Sequence, residues 1–253
     1  MALNYEKIVV TRNHIRTVEM ERMNVKARRK TKTETPVKRV MSQEEKETHY
    51  RNRQLKKAEY IRDLVEINFM DMQATFVTLT FKEQSQTLEQ CNRCLRNMLR
   101  SMKNKYQHLL YVAVVECGKN GEYHYHMILN TVYTSLLEQD VRGAWKWGME
   151  IDVQVVESVG KVAGYMTKQF GDSTNPLYGK KRYLHSNDLQ KPEILKSWEK
   201  DSELYQLVKE QIKSSKIEKE FILENEFAGQ VRYVCYNKQD KLFYQPIMAV
   251  RKE

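Results

Sequence analysis

The residues with the clearest chemical potential lie in Glu122-Tyr123-His124-Tyr125-His126-Met127-Ile128-Leu129-Asn130. If this stretch is a strand, its side chains alternate between two faces. His124, His126, Ile128 and Asn130 then share one face, and Tyr123, Tyr125, Met127 and Leu129 the other. Two neutral imidazoles two residues apart on one side of a strand can reach the same divalent ion. The plainer alternative is a pair of partly buried histidines among the chain's six. The rest of the sequence has to choose between them.

A carboxylate on the neighbouring strand would complete a set of two nitrogens and one oxygen. Glu116 ends the strand-forming run Leu109 to Glu116, which should pair with the histidine strand. Such a set leaves positions open for water or substrate oxygens and suits Mg²⁺ or Mn²⁺ when the substrate is a phosphate. The linker Cys117-Gly118-Lys119-Asn120-Gly121 contains Asn-Gly, a strong hairpin signal. A plain two-residue turn closed by Lys119 and Glu122 would pair Glu116 with Tyr125 and turn the carboxylate to the wrong face. A three-residue turn or a bulge would bring it beside the histidines. The metal reading therefore predicts an irregular turn, with Glu122 as the fallback ligand.

A nucleophile is offered by the stretch Ser158 to Gly171. Ser158 is a good helix N-cap and Gly171 a good stop. Val159, Val162, Ala163, Met166 and Phe170 fall on one side of the helix, and Lys161, Tyr165 and Lys168 fall together on the opposite side. The phenol is thus held off the core face between two ammonium groups, which favour the phenolate and would offset charge building on a phosphate. An ordinary exposed tyrosine is the alternative.

These residues need a scaffold. Ala74 to Phe81 alternates as a strand, with Thr78 and Thr80 on one face. Ser85 to Asn104 carries Leu88, Cys91, Leu95, Met98, Leu99 and Met102 at helical spacing. After the hairpin come a helix near Ser135 to Ala144, a strand from Met149 to Val156, and the tyrosine helix. Strand, helix, hairpin, helix, strand predicts an α+β, ferredoxin-like (split βαβ) core on a mostly antiparallel sheet. We expect three parts: a basic arm and charged helix over 1–70, the nuclease-like core over 71–190, and a helical and strand extension over 191–253.

The arm carries Arg22, Lys26, Arg28, Arg29, Lys30, Lys32, Lys38 and Arg39 against the single acid Glu34, a run suited to contacting phosphates. Ser42 and Glu45 form a capping-box signature opening the charged helix. A net charge of +10 suggests a polyanionic partner, with nucleic acid foremost. No run of about 18 apolar residues is present, and the first residues lack the apolar core of a secretory signal. Cys91 and Cys94 have CxxC spacing but sit in a helical pattern with no second pair, so the four cysteines read as reduced thiols of a cytoplasmic protein. No GxxxxGK[ST] motif occurs, so no P-loop helicase is fused to the core.

Ala74 to Phe81, then Glu116 with His124-Tyr125-His126, then Tyr165-Met166-Thr167-Lys168 resembles the three ordered motifs of the HUH endonuclease superfamily. The chain most resembles the rolling-circle replication initiators of bacteriophages and plasmids, over about residues 73 to 190. Gly179 to Ser186 is similar to the basic-aromatic segment that follows the third motif in phage-type members. The resemblance implies Mg²⁺ or Mn²⁺ held by Glu116, His124 and His126, Tyr165 as nucleophile with Lys168 assisting, and Thr78 and Thr80 near the site or the DNA. Lys161, Lys180, Lys181 and Arg182 would hold the backbone of single-stranded origin DNA, on whose bases tyrosines would stack.

The implied reaction is a metal-dependent nick that leaves a 5′-phosphotyrosine link and a free 3′-hydroxyl for a host polymerase, with unwinding left to a host helicase in the bacterial cytoplasm. Lys161 and Gln169 stand one helical turn either side of Tyr165, so only one tyrosine is offered. A second cleavage would then need a second protomer, in a homodimer, or water activated by an acid such as Glu157 or Asp172. A relaxase or single-tyrosine transposase shares the chemistry, although relaxases usually carry their tyrosine ahead of the histidines. A non-catalytic DNA-binding regulator would need neither the histidine pair nor Tyr165. The segment after Leu189 is read as Lys/Glu-rich helix closing with a strand at Gln230 to Tyr236, an appended unit for origin recognition or dimerisation.

Overall fold

The computed structural model describes residues 5–21, 42–82, 87–118, 121–148, 150–225 and 229–238. Most of the basic arm, from Arg22 to Arg39, lies outside these described residues. In chain order the elements are β1 (Tyr5–Val10), β2 (His14–Met20), α1 (Gln43–Asn68), β3 (Thr75–Thr80), α2 (Leu88–Lys105), β4 (Tyr111–Cys117), β5 (Tyr123–Leu129) and α3 (Ser135–Ala144). There follow β6 (Ile151–Val155), α4 (Val159–Thr167), β7 (Tyr183–His185), β8 (Glu193–Lys196), α5 (Glu203–Ser214), β9 (Lys216–Asn225) and β10 (Gly229–Asn237). The protein is α+β, with two antiparallel five-stranded sheets. It divides into two compact units, residues 41–191 and a second made of 1–40 with 192–253.

In the unit 41–191 the strand order is β6-β3-β5-β4-β7, antiparallel at every pairing. Alternation along the strands feeds two cores. Val77, Leu79, Ala113, Val115, Tyr125, Met127 and Leu129 face α2 and α3, meeting Cys91, Leu95, Met98, Leu99, Leu137 and Val141. Ala74, Val112, Val114 and Ile128 point the other way, to Ile61, Leu64 and Val65 of α1 and Val159, Ala163 and Met166 of α4. Burying each large apolar side chain contributes about 1.5–3 kcal/mol, so both helix layers are firmly seated. Cys91 is part of the first core, and burial pushes its thiol up to about 11, as expected of an inert packing residue rather than a redox or metal pair with Cys94.

Helix α1 begins with the capping box, Ser42 Oγ accepting from Glu45 N at 3.1 Å while Ser42 N donates to Glu45 Oε2 at 2.8 Å. Its second half packs on α4, so the charged helix belongs with the sheet that carries the histidines. This division differs from a boundary near residue 70.

In the other unit the order is β8-β1-β2-β10-β9, again antiparallel throughout. Leu204, Tyr205 and Val208 of α5 are buried with Ile8, Val10, Ile15, Val231 and Val234. The Lys/Glu-rich stretch 216–225 is a strand and not a helix: β9 pairs with β10 along its length. The alternation of Ile217, Lys219 and Phe221 with Glu218, Glu220 and Ile222 fits an edge strand whose outer side faces water. Cross-strand pairing outweighs the helix propensity of Lys and Glu.

Candidate active site

The hairpin joining β4 to β5 has the irregularity that the metal reading requires. Gly118 N donates to Glu122 O at 2.8 Å, leaving three residues in the turn, and Gly121 sits at φ +86°. That left-handed conformation is one glycine adopts without strain. The three-residue turn sets the register Glu116↔His124 and Val114↔His126, and on the far side of β5 Thr78 faces His126 and Thr80 faces His124. Glu116, His124 and His126 therefore share the sheet face covered by α1 and α4.

Their ligand atoms converge. Glu116 Oε2 lies 3.4 Å from His124 Nε2 and 3.3 Å from His126 Nε2. One ligand atom from each of the three residues falls within 4.8 Å of the others. Glu116 is 4% exposed and His126 3%. Burial pushes the Glu116 carboxyl up, but hydrogen bonds from both histidines and the positive charges of His126 and Lys168 outweigh it, holding the group at about 2. The carboxylate is thus ionised and ready to ligate. Its other oxygen, Oε1, is buried with no hydrogen-bond partner among the described residues, an arrangement that a bound cation would relieve. Buried carboxylate and paired imidazoles fit a divalent ion. Glu122 lines the cleft beside His124 but stands outside the cluster.

Helix α4 carries the phenol to this cluster. Ser158 Oγ caps the helix through Lys161 N, and Asp71 Oδ1 accepts from Val159 N at 2.8 Å. Val159, Ala163 and Met166 are buried, which leaves Tyr165 43% exposed on the opposite side. Its hydroxyl lies 3.4 Å from His126 Nε2, and the two rings meet at 4.8 Å nearly edge to face. Lys168, at the helix end, holds its ammonium 3.8 Å above the Tyr165 ring centroid and 3.8 Å from Glu116 Oε2. It balances the buried carboxylate and braces the ring at once.

A surrounding set of residues fixes these groups. Thr78 Oγ1 lies 3.2 Å from His126 Nδ1, on the ring edge away from Glu116. Phe76 stacks on His126 at 5.7 Å and meets Tyr165 edge-on at 6.0 Å. Arg62 of α1 donates to Thr167 Oγ1 at 2.7 Å, tying α1 to the helix that bears the tyrosine. Sequence reasoning missed Phe76, Asp71 and Arg62. Phe76 shares the alternating face of Thr78 and Thr80, and that was its only signal. The other two act across long separations.

The basic residues separate into two kinds. Lys180 and Lys181 are exposed, and Lys161 is exposed on α4 beside a shallow cavity with Gln154 and Ser158. Arg182 requires correction. It is 2% exposed, donates to the Gln169 and Phe170 carbonyls at 3.1–3.2 Å, and packs over the Phe170 ring at 4.5 Å. It closes the chain after α4 and is not presented to a phosphate. Thr80 donates to Glu150 O at 2.7 Å and lines, with Phe81, Lys82, Glu122, His124 and Glu150, an open cleft of about 390 Å³ next to the cluster. Asp172 accepts from Thr174 N and Oγ1 within its own turn.

An antiparallel sheet offering a buried acid, two histidines and a partly exposed tyrosine on one face defines a class of site built for metal-assisted chemistry. Residues 74–170 match the model of a family of replication-associated proteins of the ORF2 type, a match consistent with a rolling-circle replication initiator. It spans every residue of the cluster, from Phe76 to Lys168. No curated protein and no solved structure matched the chain.

Proposed function

We propose that this protein is a tyrosine-dependent, site-specific DNA endonuclease and strand transferase of the HUH type that initiates rolling-circle replication on single-stranded origin DNA. The strand order β6-β3-β5-β4 is that of a split βαβ sheet and supports a ferredoxin-like reading of the core. The observation that carries the proposal is the Tyr165 hydroxyl 3.4 Å from His126, itself 3.3 Å from a buried, ionised Glu116, within a segment matching a replication-associated family.

Glu116, His124 and His126 would hold Mg²⁺ or Mn²⁺, which when bound supplies Lewis-acid polarisation of a scissile phosphate. The protein's own residues do the rest. With Nδ1–H of His126 donating to Thr78, Nε2 keeps its lone pair toward the cluster. The Tyr165 oxygen forms a bond to phosphorus as the bond to the 3′-oxygen breaks. The phenol gives up its proton and the leaving oxygen takes one up. The phosphodiester energy stays in the tyrosine ester, so the strand can later be resealed. Lys168 orients the phenol and offsets charge on the phosphate. The cleft beside Thr80 and His124 would seat a nucleotide flanking the scissile bond, while Lys161, Lys180 and Lys181 hold the backbone.

With one tyrosine on α4, the second transfer falls to another protomer or to activated water. A host helicase and polymerase would act on the nicked origin in a bacterial cytoplasm.

Incubation with a pool of single-stranded oligonucleotides that includes the cognate origin tests the reading. A Mn²⁺-dependent protein–DNA adduct that survives denaturation is expected from the wild type and not from Tyr165→Phe or after chelation. Tight DNA binding without any adduct would reject the enzyme.

A further inference from the structure

The unit formed by residues 1–40 and 192–253 gathers a second set of metal-ligating side chains, independent of the histidine cluster. His14 opens β2, Cys235 lies on β10 and Glu218 on β9, the three strands being neighbours in the order β2-β10-β9. One ligand atom from each falls within 4.8 Å of the others, and His14 Nε2 is 3.0 Å from Glu218 Oε2. Ligands about 2.0–2.3 Å from a tetrahedral zinc ion stand roughly 3.3–3.7 Å apart, close to this spacing.

The sheet is shaped to bring them together. His14 pairs with Asn237, two residues from Cys235, so both side chains leave the same face. Between Cys235↔Lys219 and Tyr236↔Ile217 the register slips by one, and Glu218 is the residue left over. This is a β-bulge, and bulges re-aim single side chains. Here the re-aimed group is a carboxylate, and it meets an imidazole across two strands.

We infer that His14, Glu218 and Cys235 form a site for a divalent transition ion of the zinc type. A nitrogen, a sulfur and an oxygen make a softer set than Glu116, His124 and His126, which lack sulfur, so the two centres select different metals. Three protein ligands leave a fourth position for water. Binding replaces the thiol proton of Cys235, released to solvent, with the metal and ties β2, β10 and β9 together at one end of the sheet.

The test uses the full chain, reduced and stripped of metal, titrated with Co²⁺. A sulfur-to-cobalt charge-transfer band in the near ultraviolet is expected, saturating at one equivalent and abolished by added Zn²⁺. It should be absent from Cys235→Ser and weakened at least tenfold in affinity in His14→Gln, and unchanged in the His124→Ala/His126→Ala variant. Zn²⁺ should raise the melting temperature of the wild type but not of Cys235→Ser. Circular dichroism of each variant separates loss of the site from loss of the fold. A folded wild type with no such band, or a band that persists in Cys235→Ser, would overturn the inference.

Discussion

Glu116 determines what the site can do, because its charge is held in place by its neighbours. Its carboxyl titrates at about 2 in the folded protein, below the ordinary value of 4.5. Between these values the unfolded chain binds the extra proton, so stability rises with pH through this window. The contribution is present in full above about pH 4.5 and is lost as the pH falls through about 2. At neutral pH it amounts to on the order of 3 kcal/mol. Urea denaturation in chelator from pH 6 to pH 2.5 should show this loss in the wild type. Glu116→Gln should flatten that part of the profile and abolish metal binding at the histidine pair. Tyr165, by contrast, is partly exposed, and among the described residues its hydroxyl meets only His126. Tyr165→Phe should leave the melting temperature within a degree or two while removing the chemistry, a separation that thermal denaturation checks.

At the scale of elements, one turn decides whether the acid and the histidines meet. Gly121 at φ +86° closes the three-residue loop. Gly121→Ala should cost about 1–2 kcal/mol in the stability of the unit, read by chemical denaturation, because a Cβ disfavours that conformation. Metal affinity should fall with it. Much of this was legible beforehand. Period-two alternation put His124 and His126 on one face, and helical periodicity lifted Tyr165 and Lys168 off the core. Requiring Glu116 to join the histidines forecast a turn other than the plain Asn-Gly type. What stayed hidden depended on partners distant in sequence. Arg182 read as one more exposed cation after Lys180 and Lys181, yet it closes over Phe170 and the carbonyls ending α4. β9 read as helix because Lys and Glu favour helices, until β10 paired with it. The part played by α1 in holding α4 was likewise invisible until both helices lay on the same sheet face.

At the scale of the whole molecule, a net charge of +10 predicts binding to single strands that weakens steeply with salt. Lys180 and Lys181 are exposed close in sequence to the tyrosine helix. Replacing both with alanine should weaken binding to all sequences alike and reduce the slope of log K against log salt by about 1.4, measured by fluorescence anisotropy. Arg182→Ala should instead lower stability and leave that slope unchanged, as befits a buried cation. The central claim is the chemistry of Tyr165, and peptide mapping of the covalent adduct reaches it most directly. Trypsin should release Val162 to Lys168 as one peptide with Tyr165 as its single tyrosine. The account predicts that this peptide, and no other, carries the mass of a 5′-phosphonucleotide after Mn²⁺-dependent reaction and nuclease trimming. A nucleotide on any other peptide, or none despite cleavage of the DNA, would contradict it.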